Sequence, residues 1–145
     1  HRTSRRQRQM CIRDSGYSIL IDAHSMPHEA VLNASASLRT SQIVLGDRFG
    51  ATCSPEIIND LIMLVANTGL RASRNIPFSG AYIVQRYGSP GINRHAIQLE
   101  IDRSLYMDER KIQKLEKFHL LKDKLFNILK NFSQGHSRAT SIAAE

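Results

Sequence analysis

The chain has 145 residues, 41% of them apolar, which suits one compact domain with its own core. Its formal net charge is +7, but the first fifteen residues hold five Arg against one Asp, so the rest of the chain is nearly balanced. This balance excludes a nucleic-acid partner bound through a basic face, and no apolar run approaches the roughly 20 residues of a membrane span. Cys11 and Cys53 are too few for a disulfide framework, so we expect a cytoplasmic protein.

Residues 1–15 differ in composition from everything that follows. They contain no apolar run long enough for a signal peptide and no helix or strand periodicity. The run RRQRQMCIRDS is typical of translated adaptor or cloning sequence, so we predict a non-native, disordered leader. The alternative is a nucleic-acid-binding arm, which basic or aromatic clusters further along the chain would support, and the sequence has none. We therefore expect the folded domain at 16–134 and a frayed tail at 135–145.

The first half of the domain is predicted to contain two strands and one helix. A β-rich run at 17–21 ends in a polar turn with Asp22, His24 and Ser25, and the Ala- and Ser-rich residues 28–41 indicate a loop. The apolar run at 43–46 is typical of a strand that is buried on both faces. Helix-start chemistry at Ser54-Pro55-Glu56 predicts a helix from Pro55 to about Asn67, with Gly69 at its C-terminal end.

The second half is predicted to contain two more strands and a long helix. Alternation indicates strands at 82–86 and 95–102, which are too close together for a crossover helix. From Asp108 to Phe132 apolar residues recur at threes and fours, which predicts an amphipathic helix that has ended by Gly135. This order of elements predicts an α/β fold with a mixed sheet flanked by helices.

Two residues of this pattern could carry chemistry. His24 follows a predicted strand, where open α/β sheets place ligand sites, although it could equally hydrogen-bond within a turn. Glu100 alternates with apolar residues on its strand and shares a face with Gln98 and Asp102. It could be a general base or part of a solvated strand face.

Several polar residues in the predicted loops could bind an acidic ligand. The Arg fork holds a carboxylate through two hydrogen bonds, although each Arg could also be a surface charge. The candidates are Arg48, Asn75, Arg86 and the Arg94-His95 pair. No phosphate-binding glycine motif accompanies them, so nucleotide binding is not indicated.

Four motifs in order resemble the C-terminal motifs of the N-formylglutamate amidohydrolase family, and together they cover most of residues 17–109. They are DAHSMP, IVLGDRFGATCSPEI, NIPFSGAYIVQRYGSP and HAIQLEIDRSLYMDE. The resemblance implies a hydrolase that cleaves the amide of N-formyl-L-glutamate to formate and glutamate. It also implies a partial α/β/α sandwich of the zinc carboxypeptidase and aspartoacylase type, truncated at its N-terminus.

The resemblance also implies roles for individual residues. His24 would be a ligand of Zn²⁺ and Glu100 the general base, and a pocket for a small acidic N-acyl amino acid would include Arg48, Asn75, Tyr82 and Arg86. The other zinc ligands are expected in an N-terminal half that family members carry and this chain lacks, so we expect the fragment alone to be inactive.

Two other functions remain open. One is a related zinc amidohydrolase that acts on another N-acyl acidic amino acid, and the other is a non-catalytic, ligand-binding remnant of the fold. The sequence indicates no oligomeric state.

Overall fold

The computed structural model describes residues 16–33 and 41–142, with side-chain surroundings as far as residue 136. The predicted leader at 1–15 and residues 143–145 of the predicted tail lie outside these ranges. Within them the elements in chain order are β1 (Ser18–Met26), α1 (His28–Leu32), β2 (Ile43–Gly46), α2 (Pro55–Asn67), β3 (Ala72–Arg74), α3 (Tyr82–Tyr87), β4 (Arg94–Asp102), β5 (Met107–Asp108), β6 (Gln113–Lys114) and α4 (Phe118–Ile142).

Four strands form the main sheet in the order β1-β4-β2-β3, and β5 and β6 form a separate hairpin. Strand β1 runs parallel to β4, and β2 runs parallel to β3, whereas β2 and β4 are antiparallel. The predicted mixed sheet is therefore confirmed.

One face of this sheet is apolar and carries the main core. Alternate residues of β2 and β4 point to it, and α2 and α4 pack over it with Ile58, Leu61, Ile128 and Phe132 among their buried side chains. The Lys124 ammonium on α4 donates a hydrogen bond to the carbonyl of Thr68, just after α2. The opposite face carries the polar residues of β1 and β4, among them His24 and Glu100.

The elements with strong local signals lie where they were predicted. Helix α2 has the predicted bounds, and Gly69 follows it with a φ of +78°, a conformation that favours glycine. Ser54 occupies the N-cap position but makes no side-chain capping bond, so the Pro at the first helical position is the start signal that the structure uses. Strands β2 and β4 are confirmed as well.

The predicted strand end at Ile21 is wrong, because β1 continues to Met26. Asp22, His24 and Ser25 lie inside the strand, where each is paired with a residue of β4. Strand β4 pairs with the backbone of β1 along its whole length, so the polar run at its end stays extended and does not form a turn. The loop predicted at 28–41 is also wrong at its start, since α1 forms there, and residues 34–40 lie outside the described ranges.

The predicted strand at 82–86 is a helix, α3, which packs against β1 and β4. Five residues are too few to separate a strand period from a helix period when only Val84 is buried. A helix therefore does connect β3 and β4.

The last helix starts at Phe118 and not at Asp108. The Asp108 carboxylate accepts the N–H groups of Arg110 and Lys111, but in the turn between β5 and β6. The helix also continues through Gly135 to Ile142, so the predicted helix end is wrong, whereas the frayed tail at 135–145 stays a prediction. None of the helices in the described part of the chain combines the length and the hydropathy that crossing a membrane requires.

Candidate active site

His24 and Glu100 lie side by side on the polar face of the sheet. They are paired Cα partners in the parallel strands β1 and β4, and paired residues of neighbouring strands point to the same face about 4.8 Å apart. This register confirms that the two residues are neighbours on one face, and their roles in a catalytic cleft stay predictions. Both lie near the carboxyl ends of their strands.

The Glu100 carboxylate is buried and held on one side only. Gln98, two residues earlier on the same face, donates from Nε2 to Glu100 Oε1 at 2.7 Å. The Gln98 carbonyl oxygen in turn accepts the Ala81 N–H at 2.6 Å, which fixes the orientation of the amide. Glu100 Oε2 is buried, and among the described residues it has no hydrogen-bond partner. Because burying an unpaired carboxylate oxygen is costly, this atom is placed for a ligand or a reacting water.

His24 is oriented by a carboxylate on its own strand. Its Nε2 lies 3.0 Å from Asp22 Oδ1, and the imidazole is about half exposed. When the ring hydrogen is on Nε2, facing this carboxylate, Nδ1 is the nitrogen with the lone pair. Asp22 Oδ2 is a second buried carboxylate oxygen for which the described residues supply no partner.

The described ranges contain no group of three or more His, Cys, Asp or Glu side chains arranged to hold a metal ion. Within these ranges His24 has Asp22 on its own strand and Glu100 on β4 as its carboxylate neighbours, and its role as a metal ligand stays a prediction.

Arg48 lies just after β2, against residues 75–81, which form the loop between β3 and α3. Its Nη1 donates to the carbonyl of Gly80 at 3.1 Å, and its backbone N–H donates to Ser79 at 2.7 Å. This loop crosses β2 so closely that a Cβ on Gly46 would lie 2.6 Å from the Gly80 nitrogen. The same loop thus holds Arg48 and, through Ala81, the amide that orients Glu100.

Tyr82 and Arg86 lie one helical turn apart on α3, so they share one face of that helix. Both are exposed, and Tyr82 keeps 70% of its surface accessible. Helix α3 directly follows Ala81, whose N–H donates to the Gln98 side chain, and the pocket role of Tyr82 and Arg86 stays a prediction.

Asn75 is turned towards Asp47 and not towards Glu100. Its Nδ2 donates to Asp47 Oδ1 at 2.7 Å, and its own Oδ1 accepts the Asp47 N–H at 3.0 Å. Arg74 completes the arrangement with two bonds of 3.1 and 2.6 Å to the same carboxylate, which is fully buried. Asn75 is thus part of a buried support for the loop after β2.

Several residues of this face were not singled out from the sequence. Gln98 and Asp102 were recognised only as neighbours of Glu100, although their alternation with apolar residues was a usable signal. The sequence prediction placed His28 in a loop and gave it no role, yet its ring lies 2.8 Å from the Asp102 carboxylate. No local pattern marks a contact between residues 74 positions apart.

Comparison with known proteins gives a consistent result. The family model described as N-formylglutamate amidohydrolase matches residues 1–107. An N-formylglutamate deformylase of Pseudomonas putida is 34% identical over 110 residues, which are 75% of this chain and 40% of that protein. The deformylase of Pseudomonas aeruginosa is 33% identical over 115 residues, 76% of this chain and 41% of its own length.

The same family is found among solved structures. A crystal structure of N-formylglutamate amidohydrolase from Ralstonia eutropha superposes with a TM-score of 0.83 at 28% identity, over 90% of this chain and 48% of that one. The chain therefore spans less than half the length of each of these relatives. The matched interval includes residues 1–15, and the non-native origin of that segment stays a prediction.

Proposed function

Because this chain belongs to the N-formylglutamate amidohydrolase family, we propose that it supplies the base-bearing side of a site that cleaves N-formyl-L-glutamate into formate and glutamate. The observation that carries the proposal is Glu100: one oxygen is fixed by Gln98, and the other is buried beside His24 without a protein partner among the described residues. A carboxylate held in this way is suited to a single directed proton transfer.

Glu100 is assigned as the general base. It takes a proton from the water that attacks the formyl carbon and returns it to the nitrogen of the leaving amine. Gln98 keeps the carboxylate in one rotamer, because its amide is itself held by the Ala81 N–H. The base therefore needs no reorientation between the two transfers.

His24 fits the role of a zinc ligand. Metal-binding histidines commonly donate a hydrogen bond from their second ring nitrogen to a carboxylate. Asp22 Oδ1 lies 3.0 Å from His24 Nε2, an arrangement that would leave Nδ1 for a metal. The remaining ligands would come from outside the described residues, in a fold that we assign to the zinc carboxypeptidase and aspartoacylase type. When bound, zinc would polarise the formyl carbonyl and lower the pKa of its bound water.

Three residues remain as candidates for binding the substrate's carboxylates. Arg48 donates to Gly80 in the loop whose Ala81 N–H reaches Gln98, and Tyr82 and Arg86 are exposed on α3, which follows that loop. A guanidinium matches a carboxylate in shape and charge. Asn75 supports them indirectly, since its amide is occupied by Asp47.

A hybrid enzyme tests the proposal: the N-terminal part of the P. putida relative precedes residue 16 of this chain. The 145-residue chain alone should bind zinc weakly and turn over N-formylglutamate negligibly. In the hybrid, Glu100→Gln should retain zinc and lose about 10²- to 10⁴-fold in kcat, because an amide cannot accept the proton. The substituted amide can still accept the Gln98 hydrogen bond, so the fold is preserved. His24→Ala should lose zinc and activity together.

Glu116 is exposed on the segment before α4, so Glu116→Gln is the matched control and should leave kcat unchanged. Near-full turnover by a zinc-loaded Glu100→Gln hybrid would show that another group is the base. Faster hydrolysis of another N-acyl acidic amino acid would identify the related amidohydrolase instead. A zinc-loaded hybrid that hydrolyses none of these substrates would indicate a binding remnant.

A further inference from the structure

A second imidazole is held by a buried carboxylate on the same face as Glu100. His28 Nδ1 lies 2.8 Å from Asp102 Oδ2, and Asp102 is only 2% exposed. The other oxygen of Asp102 accepts the Ser104 N–H at 2.9 Å. The His28 backbone is anchored separately, because its N–H donates to Glu109 Oε2 at 3.3 Å.

These contacts determine which ring nitrogen of His28 carries the hydrogen. Asp102 Oδ2 is an acceptor, so Nδ1 must donate. In the neutral ring Nε2 then keeps its lone pair, and the side chain remains 42% exposed. A carboxylate that holds one nitrogen and leaves the other as a proton acceptor is the arrangement used by hydrolase His–Asp pairs.

The pair is adjacent to the proposed base. Asp102 lies two residues after Glu100 on β4, so the two carboxylates share a face and their Cα atoms are about 7 Å apart. On the paired strand β1, His24 lies opposite Glu100 and Met26 lies opposite Asp102. His28 follows Met26 after one intervening residue, which brings its ring to the same edge of the sheet.

We infer that His28, oriented by Asp102, is a second proton-transfer residue of this site and relays the second proton of the reaction. The inference rests on the proposed function. Amide hydrolysis releases two protons from the attacking water and delivers both to the leaving nitrogen. Glu100 carries the first, and the C–N bond breaks to give a neutral amine and formic acid. His28 Nε2 takes the proton of the formic acid as formate forms, and passes it to the amine to give the ammonium.

Nuclear magnetic resonance of the ring nitrogens of the 145-residue chain tests the orientation of the His28 ring without an activity assay. At mildly alkaline pH, His28 should carry its hydrogen on Nδ1, and Asp102→Asn should reverse this tautomer. The Asn carbonyl can still accept the Ser104 N–H, so its amide hydrogens face the ring and require an acceptor at Nδ1. A wild-type His28 with its hydrogen on Nε2 would overturn the inference.

Kinetics of the zinc-loaded hybrid test the transfer itself. In His28→Asn the new amide nitrogen can occupy the place of Nδ1 and keep the bond to Asp102, while the second nitrogen is removed. We expect kcat to fall about 10²-fold, at the lower end of general acid–base contributions, with an unchanged melting temperature. Asp102→Asn should lower kcat as well, and the double variant should be no slower than the worse single one.

His119 is exposed on α4, so His119→Asn is the matched control and should keep the wild-type rate. A folded His28→Asn hybrid with wild-type kcat would show that the pair is structural, and the relay would be wrong although the proposed function stands. A hybrid that binds zinc but does not hydrolyse N-formylglutamate overturns the proposed function, and the relay with it.

Discussion

Substituting Gly46 by Ala should push the loop that supports Glu100 away from the sheet. An added Cβ would lie 2.6 Å from the Gly80 nitrogen and 2.7 Å from the Ser79 carbonyl carbon. Ordinary contacts of this kind are about 3.5 Å or longer, so the loop must retreat by roughly 1 Å. Both obstructing atoms are backbone, and no side-chain rotation relieves the contact.

The cost has two parts. Overpacking of this kind destabilises by about 1–3 kcal/mol. Retreat also weakens the Ala81 N–H bond to Gln98, and the Arg48 N–H bond to Ser79, each worth about 1 kcal/mol. We therefore expect a loss of about 2–4 kcal/mol in the free energy of unfolding, or roughly 4–16 °C in Tm for a chain of this size.

Urea unfolding of the chain measures this loss. Gly91→Ala is the matched control, because a Cβ at Gly91 would have no atom within 4 Å and its φ is not left-handed. In the hybrid, Gly46→Ala should also lower kcat, since Gln98 loses the anchor that orients Glu100. If Gly46→Ala and Gly91→Ala unfold at the same urea concentration, the close crossing of loop and strand is not present in solution, and the account of how Glu100 is held is wrong.

Three further predictions concern residues on the apolar side of the sheet and on α4. Burial, with a smaller contribution from His136, lowers the pKa of His95. The unfolded state therefore binds a proton at a higher pH than the folded state does. The free energy of unfolding should fall as the pH drops below about 6.5. Urea unfolding above and below this pH should show a smaller loss in the free energy of unfolding for His95→Asn than for the wild type. An equal loss in both would show that His95 is not the group responsible. Gly135→Ala should stabilise α4 by about 0.5–1 kcal/mol in thermal unfolding, whereas destabilisation would show that the helix ends at Gly135. Burial raises the pKa of Cys53 to about 12, so in a Cys11→Ser background its thiol should react with a thiol reagent only on unfolding, and rapid native reaction would contradict its burial.

The elements predicted correctly are those whose signals lie within a few residues. Helix α2 starts at a Pro and is followed by a Gly with positive φ, and both effects act on the backbone of the residue itself. Strand β2 was recognisable because an apolar run bounded by Gly46 is buried on both faces.

The errors occurred where a partner elsewhere in the chain decides the conformation. Strand β1 passes through Asp22 and His24 because β4 pairs with it along its whole length. At 82–86 the alternation was real, but Tyr82 and Arg86 share a face in a helix as well as in a strand. Asp108 has capping chemistry and uses it in a turn, since the same side-chain bond serves either structure.

By itself the sequence determined the family, the mixed α/β architecture and two candidate residues, His24 and Glu100, because short motifs in a fixed order carry that information. Only the tertiary structure decided that these residues are paired on neighbouring strands, that Gln98 and Ala81 hold the Glu100 carboxylate, and that His28 contacts Asp102. Such contacts depend on strand register and loop packing between segments far apart in the chain, and register is set by backbone hydrogen bonds and by which face is buried. Neither is visible in the residues of one segment alone.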